Sequence, residues 1–441
     1  MNTFRCFPRK ILTIIMALLL WGAGHSLANA IEIQQVKTPS GITAWLVEDY
    51  TVPLISFSME FKSGNVQDPE GLEGLTSILA AMMDEGAGDL DTAALKAELE
   101  DRGIEIGFSS SADDFSGGMR ILASEKNRAF ELMQMILMQP RFEASSLERI
   151  RSAFISAEER GKSNPDTILG NRFRDALFGG HVYGREARGT AESLSKITRE
   201  DLISHHNNML AKDNLYIGVV GAISRPELID LIEATFANLP DEANLKEISD
   251  FVPEFGKREH ISFPSPQTKV SLALPGMKRE NPDFFAAHIM NHILGGGSFS
   301  SWLYEEVREK RGLVYGIGTN LTTLDHSAYL AGGFATKPEQ AKEALSIMQA
   351  EIERMANEGP SADELEAAKK FVYGTYAINN LDTSSKIANV LVGLQSSELG
   401  IDYINTRGAS IEAVTLDDIK RVAKELLGHS PTIITIGPGD A

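Results

Sequence analysis

Few residues in this chain combine a type and a spacing that could do chemistry, and the most conspicuous are histidines. His288-Ile-Met-Asn-His292 sets two imidazoles at i and i+4, on one face of a helix, the spacing that zinc proteases use. The position that should carry a general-base Glu carries Asn291, which cannot take a proton from a metal-bound water. No third ligand is obvious nearby, so the same residues also fit two partly buried, hydrogen-bonded imidazoles. His205 and His206 are adjacent, point to different sides of a helix and do not form a chelating pair. Gly295-Gly-Gly297 precedes Ser298 and could cradle a phosphate at a helix N-terminus. No Lys-Ser/Thr follows it, and Gly296 and Gly297 suit the close approach of a neighbouring backbone or an extended peptide better. Arg308 stands near a helix end, and Tyr315 follows seven residues on, in the next strand. Both carry donors suited to carbonyl oxygens. Spacing alone leaves open a surface arginine and a sheet-face tyrosine. No Gly-x-Ser-x-Gly elbow is present.

The elements that must position these residues occur twice. Leu95-Lys-Ala-Glu-Leu-Glu-Asp-Arg-Gly103 resembles Leu303-Tyr-Glu-Glu-Val-Arg-Glu-Lys-Arg-Gly312. Each is a helical stretch closed by Gly and followed by an alternating, strand-like segment. Further on, Ile197-Thr198 with Asp201 matches Val414-Thr415 with Asp418, in both cases a Thr N-cap with an acid in the first turn. Both precede a helix and then a β-branched run, 215–220 and 432–436. Each half reads strand, strand, helix, helix, strand, strand, long helices, strand. That order predicts an α+β fold of two similar domains, each a mixed sheet with helices on one face. The first domain is placed at 31–240 and the second at 263–441. The join at 241–262, entered through Leu239-Pro-Asp-Glu, reads as an exposed linker of mixed charge.

The 441 residues include 42 Lys and Arg against 61 Asp and Glu, a net charge of -19 that argues against nucleic acid or an anionic membrane as the main partner. A single cysteine excludes a disulfide framework and a thiolate metal cluster. Residues 1–30 read as a secretory signal: Arg5, Arg9 and Lys10 lead an apolar run, and Ala28-Asn-Ala30 gives a small-x-small cleavage pattern. The apolar run falls short of the roughly 20 residues that span a bilayer. Cleavage also removes Cys6, so the expected product is an acidic, cysteine-free periplasmic chain.

Leu294-Gly-Gly-Gly-Ser-Phe-Ser-Ser-Trp-Leu303 and Val307-Arg-Glu-Lys-Arg-Gly-Leu-Val-Tyr-Gly316 carry a family resemblance. Asn164-Pro165, His181-Val-Tyr-Gly184 and Gly189-Thr190 extend it. Over about 31–440 the chain resembles the insulinase and pitrilysin group of zinc peptidases, of the type related to mitochondrial processing peptidase. The resemblance implies two similar α+β domains in a half-clam, with two half-clams enclosing a chamber for peptides. Active members carry H-x-x-E-H on a helix of the first domain and a later Glu as a further ligand. Aligned on Gly74 and on Gly86-Ala87, those positions fall on Ser77, Ala80 and Ala81, with the later ligand near Glu158, here expected to be a solvated carboxylate. The resemblance thus implies an inactive member that lacks the motif and binds no metal. It also implies that Arg308 and Tyr315 match the family's pair that reaches across the chamber and holds substrate backbone near the zinc of the other half. Gly296 and Gly297 would border the same groove. The expected protein is a non-metal-binding subunit of a periplasmic heterodimeric zinc peptidase, not catalytic alone. It would hold no cofactor itself, would pair with a homologous zinc-binding subunit and would take peptides as substrates. Neither nucleic acid nor stable membrane insertion is expected. Two alternatives stay open: a purely structural or peptide-binding homologue, and a stand-alone metalloenzyme using His288 and His292.

Overall fold

The structure, a computed structural model, describes residues 31–438. The signal segment predicted over 1–30 lies outside the described residues. Strands β1 (Gln34–Lys37), β2 (Thr43–Glu48), β3 (Leu54–Phe61), β4 (Glu105–Ser110), β5 (Phe115–Leu122) and β6 (Leu215–Gly221) form one sheet, in the order β1-β2-β6-β3-β5-β4. Strands β7 (Arg258–Ser262), β8 (Thr268–Pro275), β9 (Ile317–Leu324), β10 (Ser327–Thr336) and β11 (Thr432–Gly437) form a second, in the order β7-β11-β8-β10-β9. Apart from β1, the two orders match strand for strand. In each, one parallel pair (β2 with β6, β7 with β11) adjoins an antiparallel run. The duplication read from the sequence is therefore one topology used twice, an α+β fold of two sheets. Its capping chemistry repeats as well. Thr198 accepts from Asp201 N at 3.2 Å and Asp201 from Thr198 N at 2.8 Å; Thr415 and Asp418 make the same pair of bonds at 3.2 and 3.0 Å.

Each sheet buries one face against helices of its own half. Helices Leu75–Met82, Lys126–Met138 and Arg225–Phe236 cover the first sheet; Phe284–Asn291, Pro338–Asn357 and Leu416–Leu427 cover the second. The sequence reading stops at this one face. The runs Leu-Tyr-Ile-Gly-Val-Val-Gly in β6 and Thr-Ile-Ile-Thr-Ile-Gly in β11 do not alternate, which is the signature of burial on both faces. The second face is covered by a helix from the opposite half. Ala388, Leu391 and Leu394 of helix Ser384–Ser396 lie on Trp45 and Val220 of the first sheet. Leu169 and Ala176 of helix Pro165–Phe178 lie on Ile434 and Ile436 of the second. The halves are interlocked. Gly218 marks how closely: a Cβ there would fall 2.3 Å from the Ala388 carbonyl oxygen.

The join is more ordered than its composition predicts. Residues 258–262, read as part of it, form β7 and pair with β11. Before them the chain is irregular but tied to both halves. Gln67 and Lys246 exchange two hydrogen bonds of 2.8 and 3.0 Å, Phe251 N donates to His326 O at 2.8 Å, and Glu254 N donates to Leu177 O at 2.9 Å. The Phe251 ring stacks on His181 at 4.6 Å. No described helix is long and apolar enough to cross a membrane.

Candidate functional site

Helix Leu75–Met82 buries Leu75, Ile78, Leu79 and Met82 at helical spacing in the first core. It begins at Gly74, where a φ of 93° and the 2.7 Å that would separate an added Cβ from Arg188 O require glycine. Asp68, 1 % exposed, closes the helix N-terminus: its carboxylate accepts from Gly74 N and Thr76 N, both at 2.8 Å, and from the Thr76 hydroxyl at 2.5 Å. His205 Nε2 lies 2.8 Å from that hydroxyl. With the one Thr76 proton given to Asp68, the imidazole must donate, so the buried chain runs His205 to Thr76 to Asp68. Burial pushes Asp68 up to about 6 against those hydrogen bonds, and burial holds His205 down at about 4. His206 faces away, edge-on to Phe142.

One residue along, the positions of the metal motif carry no donor set. Ser77 Oγ donates to Ala187 O at 3.1 Å and lies 3.3 Å from Ser110 Oγ; Ala80 is buried and Ala81 half-buried. A hydroxyl and two methyls supply neither imidazole ligands nor a base. Glu158, on helix Ala144–Gly161, is not the solvated carboxylate that the sequence suggested. Its side chain is only 21% exposed, lies 3.2 Å from Lys162 Nζ and lines a cavity.

Arg308 and Tyr315 come together. The segment Tyr304–Glu309 is a π-helical turn, closed by Lys310 N on Glu305 O at 2.9 Å, and it buries Val307 and leaves Arg308 half-buried. The Arg308 guanidinium stands 4.5 Å from the centre of the Tyr304 ring, 5.5 Å from Tyr315 and 5.9 Å from Phe299. Among the described residues its one carboxylate partner is the neighbouring Glu309, at 3.0 Å. Tyr315 is 89% exposed and Phe299 77%. The glycine run lies in a second π-helical turn, His292–Gly296, where Gly297 N donates to His292 O at 2.8 Å. A Cβ on Gly295, Gly296 or Gly297 would come within 2.5 to 2.7 Å of Thr319 Oγ1, Asn291 Nδ2 or His292 O. These glycines let the turn close on itself and on β9.

His288 and His292 diverge. The first ring stacks parallel to Phe284 at 6.0 Å, the second on Phe371 at 4.7 Å. Burial holds His288 down at about 4 and lowers His292. Among the described residues, no group of three His, Cys, Asp or Glu side chains is arranged to hold a metal ion.

A duplicated, interlocked α+β chain defines a class, and comparisons with known proteins show what it is similar to. Residues 196–372 match the family model described as the peptidase M16 inactive domain. A non-peptidase homolog, YmxG of Helicobacter pylori, is 23% identical over 94% of this chain and 95% of its own length. The mitochondrial-processing peptidase subunit beta of Dictyostelium discoideum is 24% identical over 85% of this chain and 82% of its own. A crystal structure of a peptidase M16 inactive domain from Pseudomonas fluorescens superposes with a TM-score of 0.86 at 28% identity, covering 93% of this chain and 98% of that one. Residues 196–372 thus match the M16 inactive domain, and over most of its length the chain is similar to M16-type peptidase homologues.

Proposed function

We propose that this protein is the non-metal-binding subunit of a periplasmic heterodimeric zinc peptidase and lends Arg308 and Tyr315 to an active site whose zinc sits in the partner. The observation that carries this reading is the Arg308–Tyr315 pair, an exposed tyrosine 5.5 Å from a guanidinium that stacks on aromatic rings instead of entering a salt-bridge network. Tyr315 is exposed and Arg308, half-buried, spends Nη1 on Glu309 alone, while positions 77, 80 and 81 of the same chain hold no zinc ligand. Two such donors on a scissile carbonyl stabilise the charge that grows on oxygen in the transition state. The relationship to a processing-peptidase subunit supports a paired assembly, and the acidic, cysteine-free chain behind a secretory leader supports the periplasm. The edge strand β4 is available to pair with an extended peptide.

The test is reconstitution with a homologous subunit that carries H-x-x-E-H. Arg308→Ala and Tyr315→Ala should each lower kcat/KM about 100-fold, the usual cost of one oxyanion donor, while complex formation is unchanged. Activity untouched in the double variant, or a chain that recruits no such subunit, would leave a structural or peptide-binding homologue.

A further inference from the structure

A cavity of about 1030 Å³ opens between helix Ala144–Gly161, helix Pro165–Phe178 and the loop 184–189. It adjoins the metal-motif positions, because Glu158 lines it and Ser77 hydrogen-bonds to its Ala187 wall. Its volume matches the upper end of ligand pockets, enough for a short peptide segment. Phe154, Ala157 and Ile168 give it an apolar side. The rest is charged, and the charges do not all cancel within the chain. Lys162 is taken by Glu158 and Glu159, at 3.2 and 2.6 Å. Arg172 is taken by Glu259 and Asp175. Arg174 gives Nη2 to Asn171 at 2.9 Å and lies 3.2 Å from Glu186, but its Nε is buried with no hydrogen-bond partner. Arg188, exposed on the rim, makes no side-chain hydrogen bond or ion pair among the described residues. Glu158 Oε2, buried without a hydrogen bond, is balanced by the Lys162 charge at 3.2 Å, so the unspent donors are a buried N–H and a whole guanidinium, lining one cavity beside an apolar wall. A buried donor without a partner needs an acceptor, and guanidinium groups match carboxylates best.

We propose that this cavity binds a carboxylate of a peptide, with Arg188 and the free Nε of Arg174 as its contacts and the adjoining apolar side chain against Phe154 and Ile168. The carboxylate can belong to a chain end or to an acidic side chain. The site is independent of Arg308 and Tyr315.

The test is calorimetric titration of the purified chain with three N-acetylated tetrapeptides built from serine and alanine. The first ends in leucine with a free carboxylate. The second is its C-terminal amide. The third is an amide with one glutamate beside the leucine. The free acid should bind at least tenfold more tightly than its amide, and Arg188→Glu, an exposed change that leaves the core alone, should remove that difference. If the glutamate amide matches the free acid, the proposal stands with side-chain carboxylates as the source. Acid and amide equal within twofold, no binding by any peptide, or an Arg188→Glu chain that binds the acid unchanged would each overturn it. The Arg308→Ala, Tyr315→Ala chain should bind the acid as the parent does, so this reading and the subunit reading can fail separately.

Discussion

At the residue scale, helix Leu75–Met82 holds its polar chemistry one position away from where a metal motif needs it. Residue type decides that a hydroxyl and two methyls at 77, 80 and 81 make no zinc site, but the family resemblance alone places a metal motif there. The Asp68–Thr76–His205 chain was not legible. His205 is 129 positions from Thr76, and nothing local to either residue signals the other. Thr76 is wholly buried, and its hydroxyl is a link in both directions. Thr76→Val keeps the volume and the helix, removes one donor from a buried carboxylate and strands the His205 N–H. A buried group left without its partner costs about 1–3 kcal/mol. The unfolding free energy of Thr76→Val from urea titration should fall by that amount, read as a lower midpoint with an unchanged slope. An unchanged midpoint would mean that water replaces the hydroxyl.

At the element scale, two features separate this chain from a pair of ordinary sheet-and-helix domains. One is the pair of π-helical turns, His292–Gly296 and Tyr304–Glu309, which set the facing of Arg308. Periodicity could not reveal them, since one extra residue in a turn barely alters an apolar pattern. The other is the exchange of helices between halves. Here the sequence was half legible: the non-alternating runs of β6 and β11 state that both faces are buried, but not by what. An amphipathic pattern on Ser384–Ser396 names an apolar face and no partner. The exchange makes Gly218 a point of contact between halves. Gly218→Ala drives a Cβ into the Ala388 backbone at 2.3 Å, where no flexible side chain can give way. It should cost about 1–3 kcal/mol as an overpacked site does. It should also raise protease cutting within 384–396. Gly107→Ala, in β4 with nothing within 4 Å of its added Cβ, is the matched control. It should stay within about 0.5 kcal/mol of the parent. Equal effects would mean that the helix is seated loosely.

At the scale of the molecule, the seam between the halves carries a charge cluster that ties its stability to pH. Lys62 of the first half lies 3.0 Å from Asp114 of its own half and 2.9 Å from Asp325 of the other. Beside them, Tyr183 donates to Asp113 at 2.5 Å and accepts from His326 N at 3.1 Å, while Asp325 N donates to Asp113 at 3.1 Å. Glu60 sits inside this cluster, 17% exposed, with Oε1 buried and no hydrogen-bond partner to that oxygen. Burial first, and the Asp114 charge second, push Glu60 from 4.5 up to about 7. A carboxyl raised on folding favours the folded chain while both states are protonated, so its contribution is complete below pH 4.5. It is lost as pH rises from 4.5 through 7, because the unfolded chain ionises first. At about 1.4 kcal/mol per pKa unit, the loss is on the order of 3 kcal/mol. Interlocked helices and a shared seam also leave neither half a complete surface of its own, so both should unfold in one calorimetric transition. Glu60→Gln cannot ionise. It should raise the midpoint of that transition at pH 8 and leave it unchanged near pH 4.5. The same rise at both pH values would assign the gain to packing and not to charge, and two resolved transitions would show that the exchanged helices do not couple the halves.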